Sequence, residues 1–296
     1  MIKSGFVAVI GRANAGKSTL VNVLVGEKVS IVSPKPQTTR DRIMGIYNAE
    51  DCQIAFIDTP GLYKADNLLN SAMQKTATDA AEDVDLILYV LDVHAGISEA
   101  DKKLINKFAA LKVPFVLALS KTDIMPESLL VSTIKEFGEA DYPVVPVSAR
   151  KGRNVKELLK VIKAALPDGE KIFGDDIISD RSEKFMISEI MREKILLKFE
   201  KEIPHGVAII INKFALRKDG KTYDIDLDIV CEKPNHKAIL IGKGGSAIKE
   251  VSTFARTDME KYLGKKVFLT TYVKIKEDWR NSAYLLKEYG YGQEER

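Results

Sequence analysis

A short segment near the N-terminus has the residue types and spacing of a phosphate-binding loop. Gly11, Gly16, Lys17 and Ser18 fit the pattern G-x-x-x-x-G-K-[ST], with an apolar run before it and a helical pattern after it. Glycines let backbone N–H groups turn towards phosphate oxygens at a helix N-terminus, where negative charge is favoured. Lys17 would supply positive charge to the β and γ phosphates, and the Ser18 hydroxyl would ligate Mg²⁺. The predicted phosphate-binding residues here are Gly11, Arg12, Ala13, Asn14, Ala15, Gly16, Lys17, Ser18 and Thr19.

A second motif, Asp58-Thr-Pro-Gly61, directly follows an apolar run at residues 53–57. If that run is a strand of a doubly wound sheet, the motif lies at the carboxyl edge, where ligands bind. Asp58 would there hold the magnesium ion through a water molecule, and the backbone N–H of Gly61 would reach the γ-phosphate. Turns of this kind are common without a ligand, so the prediction depends on the phosphate-binding loop upstream.

Polar residues after two further apolar runs form a candidate base site. Asp123 follows the run at 114–119, and its carboxylate can accept hydrogen bonds from N1–H and the exocyclic amine of guanine. Adenine has no such donor pair, so the wrong base leaves a charge unpaired, which gives strong discrimination. Ser148 follows the run at 143–147 and begins a segment placed to offer a backbone N–H to the guanine O6. The predicted guanine-binding residues are Ser120, Lys121, Asp123, Ser148, Ala149 and Arg150.

Together these motifs resemble the G1–G5 set of the GTPase superfamily. One position departs from that set. The base motif usually begins with an asparagine that braces the neighbouring phosphate loop, and here Ser120 occupies its place. We expect this replacement to weaken nucleotide binding, whereas Asp123 retains the specificity for guanine.

A switch segment is expected in the irregular stretch at residues 36–41. A threonine of such a loop ligates Mg²⁺ only when the γ-phosphate is present, and this contact orders the loop. We favour Thr39 for this role and hold Thr38 in reserve. The magnesium site would then comprise Ser18, Thr39 and, through water, Asp58. A solvated, threonine-rich loop without a ligand is the alternative.

Leu62 follows Gly61 at the position where Ras-type GTPases carry the glutamine that orients the attacking water. Leucine cannot orient water, so we expect slow intrinsic hydrolysis. Asn14 resembles the asparagine with which potassium-activated relatives hold K⁺ beside the phosphates, where a cation spreads the developing charge as an arginine finger does. The alternative is that Asn14 only caps the loop. The predicted catalytic residues are Lys17, Thr39, Gly61 and Asn14.

Alternating strands and helices must position these motifs. Short runs rich in Val, Ile and Leu predict strands buried on both faces, with helical patterns between them. The predicted strands are 5–10, 43–50, 53–57, 84–93, 114–119 and 143–147, with 43–50 at the edge. The predicted helices are 17–25, 67–82, 99–111, 127–139 and 155–166, the last with Asn154 as its N-cap. This order predicts an α/β P-loop GTPase domain with a doubly wound, mostly parallel sheet over residues 1–167.

After a predicted linker at 168–178 the order of elements changes. The predicted strands are 207–216, 223–231 and 266–276, the first two joined by the turn Lys218-Asp-Gly220. The predicted helices are 181–201, 238–241, 246–263 and 279–289. This order predicts a small α+β domain over residues 179–296, and it resembles a type II KH domain.

The motif Gly242-Lys-Gly-Gly245 precedes one of these helices. G-x-x-G alone arises by chance in a chain of this length, so the motif depends on that setting. KH domains use such a loop to clamp about four nucleotides of single-stranded nucleic acid. Ile239, Ile241 and Ile248 would receive bases, although each taken singly is a better candidate for the core. The predicted RNA-binding residues are Lys237, Ile241, Gly242, Lys243, Gly244, Gly245 and Lys249.

The GTPase motifs, the segment Gln37-Thr-Thr-Arg40, Leu62 and the C-terminal KH-like domain together resemble the Era family along essentially the whole chain. The resemblance implies a bacterial GTP-hydrolysing switch that binds the 3′ end of 16S ribosomal RNA and assists 30S subunit assembly. It implies GTP and GDP as ligands, Mg²⁺ as cofactor with K⁺ as a second cation, and a monomer. We expect a cytoplasmic protein, with peripheral association at the inner face of the cell membrane as a further expectation.

Composition is consistent with a soluble globular chain and gives one hint about partners. Residues 1–178 carry 22 Lys+Arg and 23 Asp+Glu, whereas residues 179–296 carry 23 and 19, so the excess positive charge lies in the second half. Cys52 and Cys231 have no metal-type spacing and are predicted to be reduced. No apolar stretch is long enough to cross a bilayer, and because the first residues run directly into a predicted strand, we expect no signal peptide. Two rival functions remain: a nucleotide-dependent phosphotransferase, and a GTP-regulated protein or membrane adapter whose C-terminal domain binds no RNA.

Overall fold

A computed structural model describes residues 1–62 and 66–291 of the 296-residue chain. The chain divides into two compact units. The first comprises residues 1–30, 39–62 and 73–180, and the second comprises residues 31–38, 66–72 and 181–291 of the described chain. The stretch between the first helix and the second strand is therefore shared between the units. The last five residues of the predicted C-terminal domain lie outside the described part.

The first unit is built on a mixed sheet. Its strands are β1 (Ile2–Ile10), β2 (Ile43–Asn48), β3 (Cys52–Asp58), β4 (Leu86–Asp92), β5 (Phe115–Ser120), β6 (Val144–Pro146) and β7 (Asp168–Gly169). The order is β2-β3-β1-β4-β5-β6, with β7 pairing β1. β2 and β7 are antiparallel to their neighbours, and the other pairs are parallel. The carboxyl ends of β1, β3, β4 and β5 therefore meet at one edge, which carries the predicted motifs.

In the part of the chain before residue 166 that the structure describes, the α-helices are α1 (Lys17–Val25), α2 (Leu68–Asp79), α3 (Glu99–Ala109), α4 (Glu127–Glu136) and α5 (Val155–Ala165). Successive residues of β1 belong to two separate hydrophobic clusters. Val7 and Val9 pack with α1 and α5, whereas Ala8 and Ile10 pack with α3 on the other face. Both faces of the sheet are thus buried, which explains why its strands are continuous apolar runs.

The second unit is built on a three-stranded sheet. Its strands are β8 (Ala208–Leu216), β9 (Thr222–Cys231) and β10 (Lys266–Ile275), in the order β10-β9-β8. β9 is antiparallel to β8 and parallel to β10. Its helices are α6 (Glu183–Lys198), α7 (Pro234–Ile241), α8 (Ser246–Leu263) and α9 (Ala283–Glu288). Alternate residues of β9, from Ile225 to Cys231, pack with α6 and α8 in one core. The predicted architecture, a doubly wound, mostly parallel α/β domain followed by a small α+β domain, is confirmed.

Two local predictions need correction. Asn154 precedes α5 but does not cap it through its side chain, because it adopts φ 55 and its amide donates to Pro146 O at 2.9 Å. The predicted terminal helix 279–289 is split, because Ser282 is extended and caps Leu285 N, so that a 3-10 turn precedes α9. Element ends otherwise differ from the predictions by a few residues, as expected for boundaries set by tertiary contacts.

The predicted linker at 168–178 is held by the first unit. The buried side chain of Gln53 accepts hydrogen bonds from the backbone N–H groups of Ile172 and Phe173, at 2.6 and 2.9 Å, and donates one to Phe173 O at 2.8 Å. Ile46 N then donates to Ile178 O at 3.0 Å. The segment after β7 therefore follows the outer edge of the sheet instead of forming a free tether. Within the described residues, none of the helices combines the length and hydropathy of a bilayer-spanning segment.

Candidate functional site

The loop between β1 and α1 surrounds a buried lysine. The Lys17 ammonium donates to the carbonyl oxygens of Gly11 and Arg12, at 3.1 Å each. Burial lowers the pKa of Lys17 to about 8, while the nearby carboxylate of Asp58 acts in the opposite direction. A lysine held at the start of a helix in this way is suited to polyanionic phosphate, because the anion would restore the charge that burial opposes.

Three oxygen-bearing side chains converge beside this lysine. Ser18 Oγ lies 2.8 Å from Thr39 Oγ1, and Thr39 Oγ1 donates to Asp58 Oδ2 at 3.4 Å. Asp58 is fully buried, and burial raises the pKa of its carboxyl, opposed by Lys17. Within the described residues its Oδ1 has no hydrogen-bond partner. A buried carboxylate with an unused oxygen and two neighbouring hydroxyls fits a hard divalent cation such as Mg²⁺.

The structure distinguishes between the two candidate threonines. Thr39 belongs to the first unit and reaches Ser18 and Asp58, as described above. Thr38 belongs to the second unit, and its hydroxyl donates to Lys35 O at 2.7 Å. Of the two, Thr39 is therefore the one placed to ligate a metal held by Ser18.

The Asp58–Gly61 turn lies against the phosphate loop. A Cβ added to Gly61 would lie 2.5 Å from Ala13 Cα and 2.6 Å from Ala13 N, so glycine is required by this close approach. The next residue, Leu62, is buried in the core beside β1, and its N–H donates to Gly11 O at 3.1 Å. Its side chain is therefore part of the core of the first unit.

The predicted base motif is closely tied to its neighbours. Ser120 Oγ lies 2.6 Å from Ala15 O and 3.0 Å from Leu91 O, and the side chain is buried. Asp123 Oδ1 accepts a hydrogen bond from Ser148 Oγ at 2.6 Å. This hydrogen bond is the main cause that lowers the pKa of Asp123, so the carboxylate is charged at neutral pH. The second carboxylate oxygen of Asp123 and the segment 149–150 remain the groups predicted to contact guanine.

Arg12 is the first variable residue of the phosphate loop, and its side chain contacts the start of α3. Its guanidinium pairs with Asp101 at 3.1 Å and lies 3.4 Å from Ser98 Oγ. Ser98 and Asp101 form a capping box at the start of α3. The guanidinium of Arg12 thus links the phosphate loop to the start of α3. The S-x-x-D pattern marks this cap in the sequence, but only the fold reveals its pairing with the phosphate loop.

In the second unit, the Gly242–Gly245 loop joins α7 to α8. Gly242, Gly244 and Gly245 have φ of 74°, 58° and 80°, which residues with side chains rarely adopt. A Cβ at Gly244 or Gly245 would meet no atom within 4 Å, so the outer surface of this backbone is open to a ligand. Lys243 is exposed at the tip. The backbone of a bound ligand could therefore approach the backbone of this loop closely, without meeting a side chain at Gly244 or Gly245.

Residues flanking this loop are partly as predicted. Lys249 is exposed, and Lys237 and Ile241 are half-buried. The expectation that Ile239, taken singly, lies in the core is wrong. Ile239 is 49% exposed, because Leu240 is the residue of α7 that packs inward. Ile248 is partly buried against the core of the unit.

Comparisons with known proteins give one consistent result. The family model described as "50S ribosome-binding GTPase" matches residues 6–121, and the model described as "KH domain" matches residues 202–280. GTPase Era of Clostridium kluyveri is 45% identical over 294 residues, which is 98% of this chain and 100% of that protein. GTPase Era of Alkaliphilus metalliredigens is 43% identical over 291 residues, which is 98% of this chain and 99% of that protein.

Two solved structures match over the full length. A crystal structure of Era in complex with MgGDPNP and nucleotides 1506–1542 of 16S ribosomal RNA has a TM-score of 0.93 and 36% identity, with coverage of 99% of this chain and 100% of that chain. A variant of Aquifex aeolicus Era bound to GDP and AlF4⁻ gives the same TM-score, identity and coverage. The sequence, the fold and these relatives agree, and the chain therefore belongs to the Era family of GTPases.

Proposed function

We propose that this protein is a GTP-hydrolysing switch whose KH domain binds the 3′ end of 16S ribosomal RNA and assists assembly of the 30S subunit. The observation that carries the proposal is the presence in one chain of a phosphate loop with a buried lysine, an Asp123 carboxylate held by Ser148, and an open Gly-Lys-Gly-Gly backbone loop. A relative crystallised with both MgGDPNP and this RNA supports it. We assign nucleotide hydrolysis to residues 1–167 and RNA binding to residues 179–296.

At the nucleotide site, Asp123 accepts hydrogen bonds from guanine, and Lys17 neutralises charge on the β and γ phosphates. Ser18, Thr39 and Asp58 would hold Mg²⁺, which when bound neutralises phosphate charge as water attacks. The backbone N–H of Gly61 senses the γ-phosphate, which only GTP carries. Loss of that phosphate releases Gly61 and Thr39, and this release is the switch.

K⁺ is proposed as a second cation because Leu62 is buried and leaves the attacking water without a side-chain partner at that position. Asn14, with φ 63 in the phosphate loop, is the residue assigned to hold it.

We further propose a monomer that acts in the cytoplasm, with peripheral association at the inner face of the cell membrane as a secondary location.

RNA binding is assigned to the loop at Gly242–Gly245. A phosphodiester backbone can approach Gly244 closely because no side chain covers it, and Lys243 supplies positive charge beside it. Bases would lie beside Ile241 and the exposed Ile239. Lys243 is the one charged residue of the loop, and phosphate contacts carry no sequence information, so specificity would come from contacts to the bases.

The test is binding of the full chain to a short single-stranded RNA with the 16S 3′-end sequence, measured by filter binding. Gly244→Asp places a carboxylate in the path of the phosphates, and affinity should fall more than tenfold, above about 1.4 kcal/mol. Gly264→Asp is the matched control, because Gly264 has a similar φ of 63° and open space around its Cβ but lies at the far end of α8. Lys243→Ala should reduce affinity less and flatten its salt dependence by about one phosphate contact.

Equal affinity of wild type and Gly244→Asp would mean that the loop is only a structural turn. The adapter function without RNA would then replace this proposal. GTP hydrolysis measured on the same variants checks that the nucleotide site is intact.

A further inference from the structure

Asp92 ends strand β4 and is not part of any nucleotide-binding motif recognised in the sequence. In the sheet it pairs in register with Ser120, the first residue of the base motif. Both of its carboxylate oxygens have defined partners. Oδ1 accepts hydrogen bonds from the backbone N–H groups of His94 and Ala95, at 3.1 and 3.3 Å. Oδ2 accepts one from the Lys121 ammonium at 2.6 Å.

This arrangement fixes the direction of the Lys121 side chain. The carboxylate cannot rotate without losing the two backbone hydrogen bonds, so Oδ2 stays directed at the ammonium. The backbone of Lys121 is also constrained, since its φ of 61° is uncommon for a residue with a side chain. The side chains of Lys121 and Asp92 are 34% and 18% exposed, and ion pairs in such positions add little to folding stability.

We propose that Asp92 is a positioning residue of the guanine site, which holds the Lys121 side chain ready beside Asp123. The inference rests on the placement of that site in the proposed function. A lysine stem whose ammonium is held at one point offers an apolar flank to a flat base. Because the side chain is ordered before the ligand arrives, binding does not have to order it. Asp92 thereby acts on nucleotide affinity without touching the nucleotide.

The test is a double-mutant cycle on the full chain, with GDP binding measured by titration calorimetry in the presence of Mg²⁺. Asp92→Asn keeps an oxygen for the two backbone amides and removes the charge that holds the lysine. Lys121→Met keeps the apolar stem and removes the ammonium. We expect Asp92→Asn to weaken GDP binding by about five- to tenfold, and to have less than about a twofold further effect in the Lys121→Met background. In turnover, the change should appear in KM for GTP more than in kcat.

Two further variants make the result specific. Asp92→Ser keeps a hydroxyl oxygen for the turn and should behave as Asp92→Asn does, which covers the case in which one variant folds poorly. Asp51→Asn removes a different lysine–carboxylate pair, the one between Asp51 and Lys163. Asp51 directly precedes β3, at the end of that strand opposite to Asp58, so this variant should leave GDP affinity unchanged.

Wild-type affinity in Asp92→Asn, with weakened binding in Lys121→Met, would overturn this proposal and leave the guanine site intact. Equal effects of Asp92→Asn in both backgrounds would also overturn it, since Asp92 would then act by a route other than Lys121. If neither Lys121→Met nor Asp123→Asn altered GDP binding, the guanine site itself would be misplaced.

Discussion

The hydroxyl of Ser120 lies 2.6 Å from the carbonyl oxygen of Ala15, which joins the base motif to the phosphate loop. The GTPase superfamily usually has asparagine at this position, and the shorter serine still reaches the loop. A single hydroxyl proton can be donated to only one acceptor, and the distance to Ala15 is shorter than the 3.0 Å to Leu91 O. The brace is therefore retained with one hydrogen bond.

Ser120→Ala should weaken GDP binding by roughly fivefold, because one buried hydrogen bond contributes about 1 kcal/mol. Ser120→Asn should bind GDP at least as tightly as wild type. Calorimetric titration with GDP checks both variants. Unchanged affinity in Ser120→Ala would show that the brace does not contribute to binding.

Ser148→Ala should shift the pH dependence of GDP binding. The hydrogen bond from Ser148 lowers the pKa of Asp123, and its loss raises that pKa towards the ordinary value. Because guanine binds the charged carboxylate, affinity falls as pH falls through this pKa, and the fall should begin at higher pH in the variant. Stability follows the same sign, since the contribution of a carboxylate with a lowered pKa is lost on acidification. GDP titrations between about pH 7 and pH 4 test this, with circular dichroism as the check on folding. Superimposable profiles would contradict it.

Gly61→Ala should impair GTP hydrolysis more than GDP binding. The added methyl group would lie 2.5 Å from Ala13 Cα, so the turn or the phosphate loop must move, at a cost of about 1–3 kcal/mol in stability. GDP lacks the γ-phosphate that the Gly61 N–H is proposed to sense. Gly169→Ala is the control, since its Cβ would make only an ordinary 3.5 Å contact with Ser4. Single-turnover hydrolysis and GDP titration measure the two effects, and equal losses in both would argue against a γ-phosphate contact.

GTP hydrolysis should be faster in KCl than in NaCl at equal ionic strength, and Asn14→Ala should remove the difference. The reason is that Leu62 is buried in the core and cannot orient water, so charge stabilisation must come from another source. Phosphate release in the two salts is the measurement. Equal rates for the wild type would eliminate the potassium site and leave an RNA or ribosomal component as the activator.

Tertiary contacts corrected several interpretations made from the sequence. The sequence predicts Gln53 only as one residue of a strand. Its side-chain amide oxygen in fact accepts hydrogen bonds from the backbone of residues 172–173, which fixes that part of the predicted linker to the first unit. Ile239 fits a core pattern and is exposed, because the rotation of α7 places Leu240 inward. Asn154 is predicted to cap α5 with its side chain, but its side-chain amide instead donates a hydrogen bond to Pro146 O. Each outcome depends on a partner or a packing surface that no local pattern contains.

The sequence by itself determined the fold class, the phosphate loop at Gly11–Ser18, the carboxylate at Asp123 and the glycine loop at Gly242–Gly245. These features are local, because glycine conformation, hydrophobic period and charge act within a few residues of the chain. Only the tertiary structure decided that Thr39, rather than Thr38, meets Ser18, that Ser148 orients Asp123, and that Asp92 holds Lys121. The order of strands in the sheet brings these distant residues together, and a side chain in a loop gives no indication of which strand end it will face.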